Sequence, residues 1–186
     1  MNLILLQPGD PDIIFGGTRY PATIGQGIDL SATANKYSIN LEECLPLASF
    51  SQGLKQQPVS DAVNVLKSTA NITCIRYADA YSVMLYEACM RCIKLGEGKE
   101  RPTTIFMLGI VENKITSVLK VQLRDAIISS IELQGDTNNL PTNVFSIGFS
   151  EIIWESNILN NNGAEVGELH IGWSQLLNSP IASFSE

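Results

Sequence analysis

The sequence predicts a mainly β protein, an antiparallel barrel or sandwich carrying one α-helix. Three observations lead there. Short apolar or alternating runs, roughly seven of them, recur between turn-rich stretches. One segment alone, 82–95, reads as a helix. The strands and that helix do not follow a βαβ order, which argues against a parallel sheet.

The elements run as follows. Leu3, Ile4, Leu5 and Leu6 form a short apolar strand. Residues 7–38 differ in texture, with Pro8, Pro11, Pro21 and five of the 14 glycines. They read as an irregular insertion after the first strand, with one short strand at 13–15. Strand character resumes over 39–54, where Pro46 implies an edge or a bulge. Residues 56–70 are polar, broken by Pro58, and read as a long loop of the functional or mobile kind. Another strand fits 71–77.

The helix follows. Asp79 or Ser82 can accept its orphan N–H bonds, and Gly96 stands where a C-terminal cap prefers glycine. Strands are then expected at 104–111, 116–123 and 126–133. In 116–123, Val121 and Leu123 point one way, and Lys120 and Gln122 the other. The stretch "VFSIGFSEIIWES" reads as one strand. A bulge near Ser150 and Glu151 would bring Phe145, Ile147, Phe149, Ile152 and Trp154 to one face. A last strand, "LHIGWS", places Leu169, Ile171 and Trp173 together.

The chain has 186 residues, enough for one domain with a substantial core. Charged residues make up only 17%, against about 25% usually, which points to surface hidden in an oligomer. The net charge of −7 and the absence of any Lys/Arg cluster argue against phosphate-backbone and anionic-membrane binding. The opening apolar run is too short for a signal peptide, and no run approaches a membrane span. A cytoplasmic start with reduced thiols is expected.

Chemistry is sparse. Cys89-Met-Arg-Cys92 is a C-x-x-C, which can hold a metal, exchange disulfides or fill a core. Leu85, Cys89 and Cys92 fall at i, i+4, i+7 on a helix, one apolar stripe, so packing of the helix onto the core is the favoured role. The other ligand types, Cys44, Cys74 and His170, lack zinc spacing. A redox pair wants its first thiol at a helix N-terminus, whereas this pair sits in the second half. The lone His170 lies between Leu169 and Ile171 with no nucleophile elbow in the chain, so a surface or interface histidine is expected. Glu42 and Glu43, adjacent on an expected strand, would point to opposite faces and make no dyad. No catalytic, cofactor-binding or metal residue is assigned.

The order of motifs is specific: "SFSQGLKQ", "RYADAYSVMLYEAC", "VLKVQLRDAIISSIELQG", "PTNVFSIGFSEIIWE" and "IGWS" follow one another in a single chain. This resembles Hcp, the haemolysin-coregulated protein family that forms the inner tube of the bacterial type VI secretion system. Tyr77, Asp79 and Ser82 match the family's residues before its helix. Leu119, Val121, Leu123, Asp125, Ser129 and Ser130 match its central strand, and Phe149, Ile152, Trp154, Gly172 and Trp173 its last ones. The resemblance covers about 39–177 plus the first strand. Two departures, the long 7–38 segment and Gln52 in place of a frequent tryptophan, suggest a divergent or accessory paralogue.

The resemblance implies a phage tail-tube-like β-barrel with one helix and no active site. Hexameric rings of it would stack into a tube. Its partners would be other copies, the contractile sheath, the spike protein and effector cargo. The chain would be cytoplasmic before assembly and then secreted. Candidate lumen-lining residues are Ser49, Ser51, Lys120 and Gln122. Candidate inter-subunit residues, in the long loop, are Pro58, Val59, Ser60, Asp61, Val63 and Val65. The alternative function is a monomeric β-barrel module that binds a ligand at its mouth.

Overall fold

The computed structural model describes residues 2–16, 31–57, 66–111, 114–160 and 165–185. Among the described residues, eleven strands form two antiparallel sheets. In chain order the elements are β1 (Asn2–Gln7), α1 (Asp12–Phe15), α2 (Ser31–Tyr37), β2 (Leu45–Leu47), β3 (Ser49–Gln57), β4 (Leu66–Tyr77) and α3 (Ser82–Met90). Then come β5 (Thr103–Val111), β6 (Lys114–Arg124), β7 (Ile127–Gln134), β8 (Thr142–Gly148), β9 (Glu151–Leu159), β10 (Glu165–Ser174) and β11 (Ser179–Ile181). The large sheet runs β11-β10-β9-β6-β5-β1-β2, and the small one β3-β4-β8-β7. The mainly antiparallel β class is as the sequence predicts. The two sheets are not closed into a barrel, however: each keeps two end strands, and the sheets pack as a sandwich.

Alternation builds the core. Leu119, Val121, Leu123, Ile152 and Trp154 of the large sheet face Phe50, Ile72, Cys74, Phe145 and Ile147 of the small one. The β1 run is apolar throughout because it is buried on both faces. Leu6 enters the main core, while Leu5 joins a second cluster with Ile39, Cys44, Phe106 and Leu108 on the opposite side.

The described parts of the 7–38 segment, 7–16 and 31–38, hold two short helices. Pro11 enters α1 at φ −63°, and Gly16 leaves it at φ 56°, so 12–15 forms a helical turn rather than a strand. Phe15 meets Tyr81 edge to face at 4.9 Å, which seats α1 beside α3. Ala34 and Tyr37 of α2 pack on the second cluster. Residues 41–43 form a 3-10 turn, not a strand, capped by the Asn40 side chain on the Glu42 N–H.

Two other expectations change. The stretch read as one bulged strand is two, in different sheets. The chain turns at Phe149 and Ser150, and the parity change there lets both halves bury the same face. The loop expected at 56–70 is shorter, because β3 and β4 pair as far as Gln57 and Leu66. Pro58, Val59, Ser60, Asp61, Val63 and Val65 lie outside the described residues. Pro46 sits on β2, an end strand, as expected of a residue with no N–H to donate.

Candidate assembly surfaces and the polar sheet face

The small sheet presents a largely polar outward face. Inner parity takes Phe50 and Gln52 of β3, so Ser49 and Ser51 face out and are exposed. Asn71, Thr73 and Ile75 of β4 lie beside them, then Val144 and Ser146 of β8. The hydroxyls interlock: Thr73 Oγ1 and Ser146 Oγ are 3.4 Å apart, Asn71 Nδ2 donates to Ser129 Oγ at 2.9 Å, and Ser129 Oγ donates to the Ser146 carbonyl at 3.1 Å. The wall is largely polar, with the aliphatic Ile75 and Val144 on it and one carboxylate, Glu132 of β7, opposite Val144. Asn71, Thr73, Ser146 and the role of Ser129 escaped the sequence reading, although the alternation in "NITCIRY" carries the signal.

Two of the four candidate lumen residues, Ser49 and Ser51, lie on this wall. Lys120 and Gln122 lie on the outward face of the large sheet, on the far side of the sandwich from Ser49 and Ser51. Lys120 is paired there with Glu155 at 3.1 Å, both side chains about a quarter exposed. Gln122, Ile153, Glu155, Glu168 and His170 floor a groove of about 540 Å³, walled by Lys99 and Pro102 on one side and Phe184 on the other. His170 is exposed, as expected.

The large sheet overhangs the small one. Trp154 marks the margin, where its Nε1–H donates to Gln52 Oε1 of β3 at 2.9 Å. Beyond it, Leu169 and Ile171 point to the core side of the sheet yet are 65% and 68% exposed. Trp173 alone of the predicted apolar trio reaches the core. The two end strands of the small sheet are also accessible. Among the described residues, the outer edge of β3 has no partner, and that of β7 has only a bridge from Lys94 to Ile127.

The motif residues before and after α3 are structural. Asp79 accepts from the Tyr81 N–H at 2.9 Å and from the buried Arg76 at 2.5 Å. Ser82 donates to Asn143 Oδ1 at 2.5 Å, tying the helix start to β8. Asp125 turns the chain from β6 to β7 at φ 50°. Burial opposes its ionisation, yet bonds from Lys94, the Gly98 N–H and Ser150 hold its carboxyl below the usual range. Glu151 behaves alike. Its side chain is 1% exposed, and burial is outweighed by the Ser185 hydroxyl and N–H and then by Arg124. Those bonds, at 2.7, 2.9 and 3.1 Å, pin the C-terminal segment to the sheet.

The cysteines divide. Cys44 and Cys74 are buried, and desolvation pushes both thiols up to about 12, with the Glu43 charge adding to the effect at Cys44. Leu85 is fully buried and Cys89 packs partly against the core. Cys92 does not join them. The helix ends at Met90, and Cys92 stands exposed beyond it at φ 51°. Its N–H reaches the Cys89 carbonyl at 3.2 Å, and the Ile93 N–H reaches that of Ala88 at 3.0 Å. These two bonds define a Schellman cap, with Cys92 in the position glycine prefers. The expected stripe fails because it assumes helical phase one turn too far. Among the described residues, no cluster of three or more His, Cys, Asp or Glu could hold a metal, and no helix is long and apolar enough to cross a membrane.

Among proteins with curated descriptions, none matches this sequence. Solved structures do. A structure described as that of a type six secretion system protein superposes with a TM-score of 0.71 at 13% identity, covering 97% of this chain and 100% of its own. Hcp1 from Salmonella typhimurium gives 0.63 at 15%, with 97% and 99% coverage. The secreted protein Hcp3 from Pseudomonas aeruginosa gives 0.61 at 13%, with 94% and 98%. These likenesses establish the fold. The family model for the type VI secretion system effector Hcp matches residues 34–155, about two thirds of the sequence, and on that match the chain belongs to the Hcp family.

Proposed function

We propose that this chain is a tube subunit and cargo carrier of a type VI secretion system, working by assembly rather than by catalysis. The observation that carries the reading is the largely polar face of the small sheet, set between two accessible strand edges. A channel wall that passes cargo must be wetted yet hold it weakly, and a Ser/Thr/Asn surface does both. Joining the β7 edge of one copy to the β3 edge of the next extends that wall and removes both edges. Six copies, the ring size the resemblance implies, give roughly 24 strands, about 115 Å around and about 37 Å across at ~4.8 Å per strand.

In such a ring, the neighbouring subunit covers the overhang at Leu169 and Ile171. Ser49 and Ser51 line the lumen. Lys120 and Gln122 belong to the outer wall, towards the sheath. Residues 58–65, which join β3 to β4 in sequence, we assign to contacts between subunits or stacked rings. Stacked rings, capped by the spike and driven by the sheath, would carry effectors out with the tube itself.

Solution mass and negative-stain imaging test this reading. Rings that Leu169→Glu disperses into folded protomers support it. A wild-type protein that stays monomeric at all concentrations overturns it. The binding-module alternative required a barrel mouth, and the sheets do not close to make one.

A further inference from the structure

We propose that Cys89 and Cys92 form an intramolecular disulfide, a modification site at the end of α3 that closes once the chain meets a low-molecular-weight disulfide oxidant. The inference rests on the cap geometry and is independent of ring assembly. The Cys92 N–H to Cys89 carbonyl bond closes a turn across these two residues. Such a turn keeps its end Cα atoms within about 7 Å. Disulfides span Cα separations of roughly 4.4–6.8 Å. The turn thus places the two Cα atoms within the span a disulfide bridges.

Access supplies the second argument. Cys92 is exposed and can meet a reagent, while Cys89 is half-buried. Cys44 and Cys74 are buried in separate clusters and present no surface to attack. The order of events follows. The Cys92 thiolate attacks one sulfur of oxidised glutathione, forming a mixed disulfide and expelling one glutathione thiolate. The Cys89 thiolate then attacks the Cys92 sulfur and expels the second glutathione. Two protein thiols are oxidised, one glutathione disulfide is reduced to two glutathiones, and the two protons pass to them. Reducing cytoplasm holds the pair open, whereas an oxidising compartment beyond it closes the pair.

Trypsin reads the result directly, because Arg91 lies between the two cysteines. The folded full chain is incubated with oxidised glutathione, alkylated without reduction, digested and mapped by mass. The proposal expects peptides 77–91 and 92–94 to stay joined until reductant is added, with no glutathione retained. Cys89→Ser should instead trap glutathione on Cys92. Reaction at Cys44 or Cys74 should be at least about tenfold slower, as burial dictates. A wild-type chain that keeps a stable glutathione adduct overturns the proposal. So does one that pairs either cysteine with Cys44 or Cys74, or one that leaves Cys89 and Cys92 unmodified.

Discussion

Trp154 of β9 donates its indole N–H to Gln52 of β3 across 2.9 Å, joining the two sheets where the small one ends. The residues lie 102 positions apart in sequence. The position that departs from the family's frequent tryptophan thus holds a cross-sheet hydrogen bond. Gln52→Leu leaves the indole donor unpaired in a partly buried site. A loss of about 1–3 kcal/mol is expected, the cost of an unsatisfied buried group, read as a lower urea midpoint at unchanged slope. An unchanged midpoint would remove this bond from the account of sheet packing.

Cys92 occupies a left-handed cap at φ 51° where glycine carries no steric cost. Cys92→Gly should therefore raise stability by about 1 kcal/mol. Cys92→Ala should change it little, because the side chain is exposed. Cys74→Ala, by contrast, empties a fully buried site and should cost more than either. Urea titrations of the three variants give the order, and a destabilised Cys92→Gly would contradict the assigned cap.

Gly9 and Gly96 cross at van der Waals range beneath the Arg101 carbonyl. A Cβ on Gly9 would lie 2.0 Å from that oxygen, and one on Gly96 2.2 Å from it. Both neighbours are backbone, so neither can yield without moving the chain. Next to the crossing, the Asp10 N–H bonds the Leu95 carbonyl at 2.7 Å. Gly96→Ala should cost upwards of about 2 kcal/mol, in the range of overpacked sites, in thermal or urea unfolding.

Acid should unfold the protein through specific carboxylates. Glu151 and Asp125 are held below their ordinary values of 4.5 and 3.8 in the folded state. The unfolded chain binds protons first as pH falls, so the stability they contribute is present above those values and lost below them. The urea midpoint should fall as pH drops below about 4.5. Glu151→Gln should lower the midpoint at neutral pH and flatten the acid slope, since its loss of charge is already complete. An acid slope identical to wild type would exclude Glu151 as a contributor.

The elements best read in the sequence were those whose pattern reports directly on burial. The alternation of Val121 and Leu123 with Lys120 and Gln122 placed β6 correctly, and Leu85 was rightly put in the core. Sequence patterns failed where a local exception cut the period. Cys92 left the helical stripe because the helix stopped two residues before it. Leu169 and Ile171 share Trp173's face but lie past the edge of the opposing sheet, a relation that spacing along one strand cannot express. Lys120 and Gln122 stand on the opposite outward face from Ser49 and Ser51 for a related reason. Polar parity marks an outward face, and a sandwich has two of them. The helical turn at 12–15 was hidden by its brevity, and the Glu151–Ser185 tie by a separation of 34 residues.

The central claim is that the small sheet's outward face lines a channel. It is tested most directly by cysteine accessibility in a Cys92→Ser background, with Ser51→Cys on that face and Glu168→Cys on the opposite one. The assembled protein is treated with a small maleimide and, separately, with one attached to a protein wider than a channel of about 37 Å. The account predicts that both reagents reach residue 168. It predicts that the small one alone reaches residue 51 until the assembly is dissociated into protomers. Equal labelling of residue 51 by the bulky reagent before and after dissociation would contradict it.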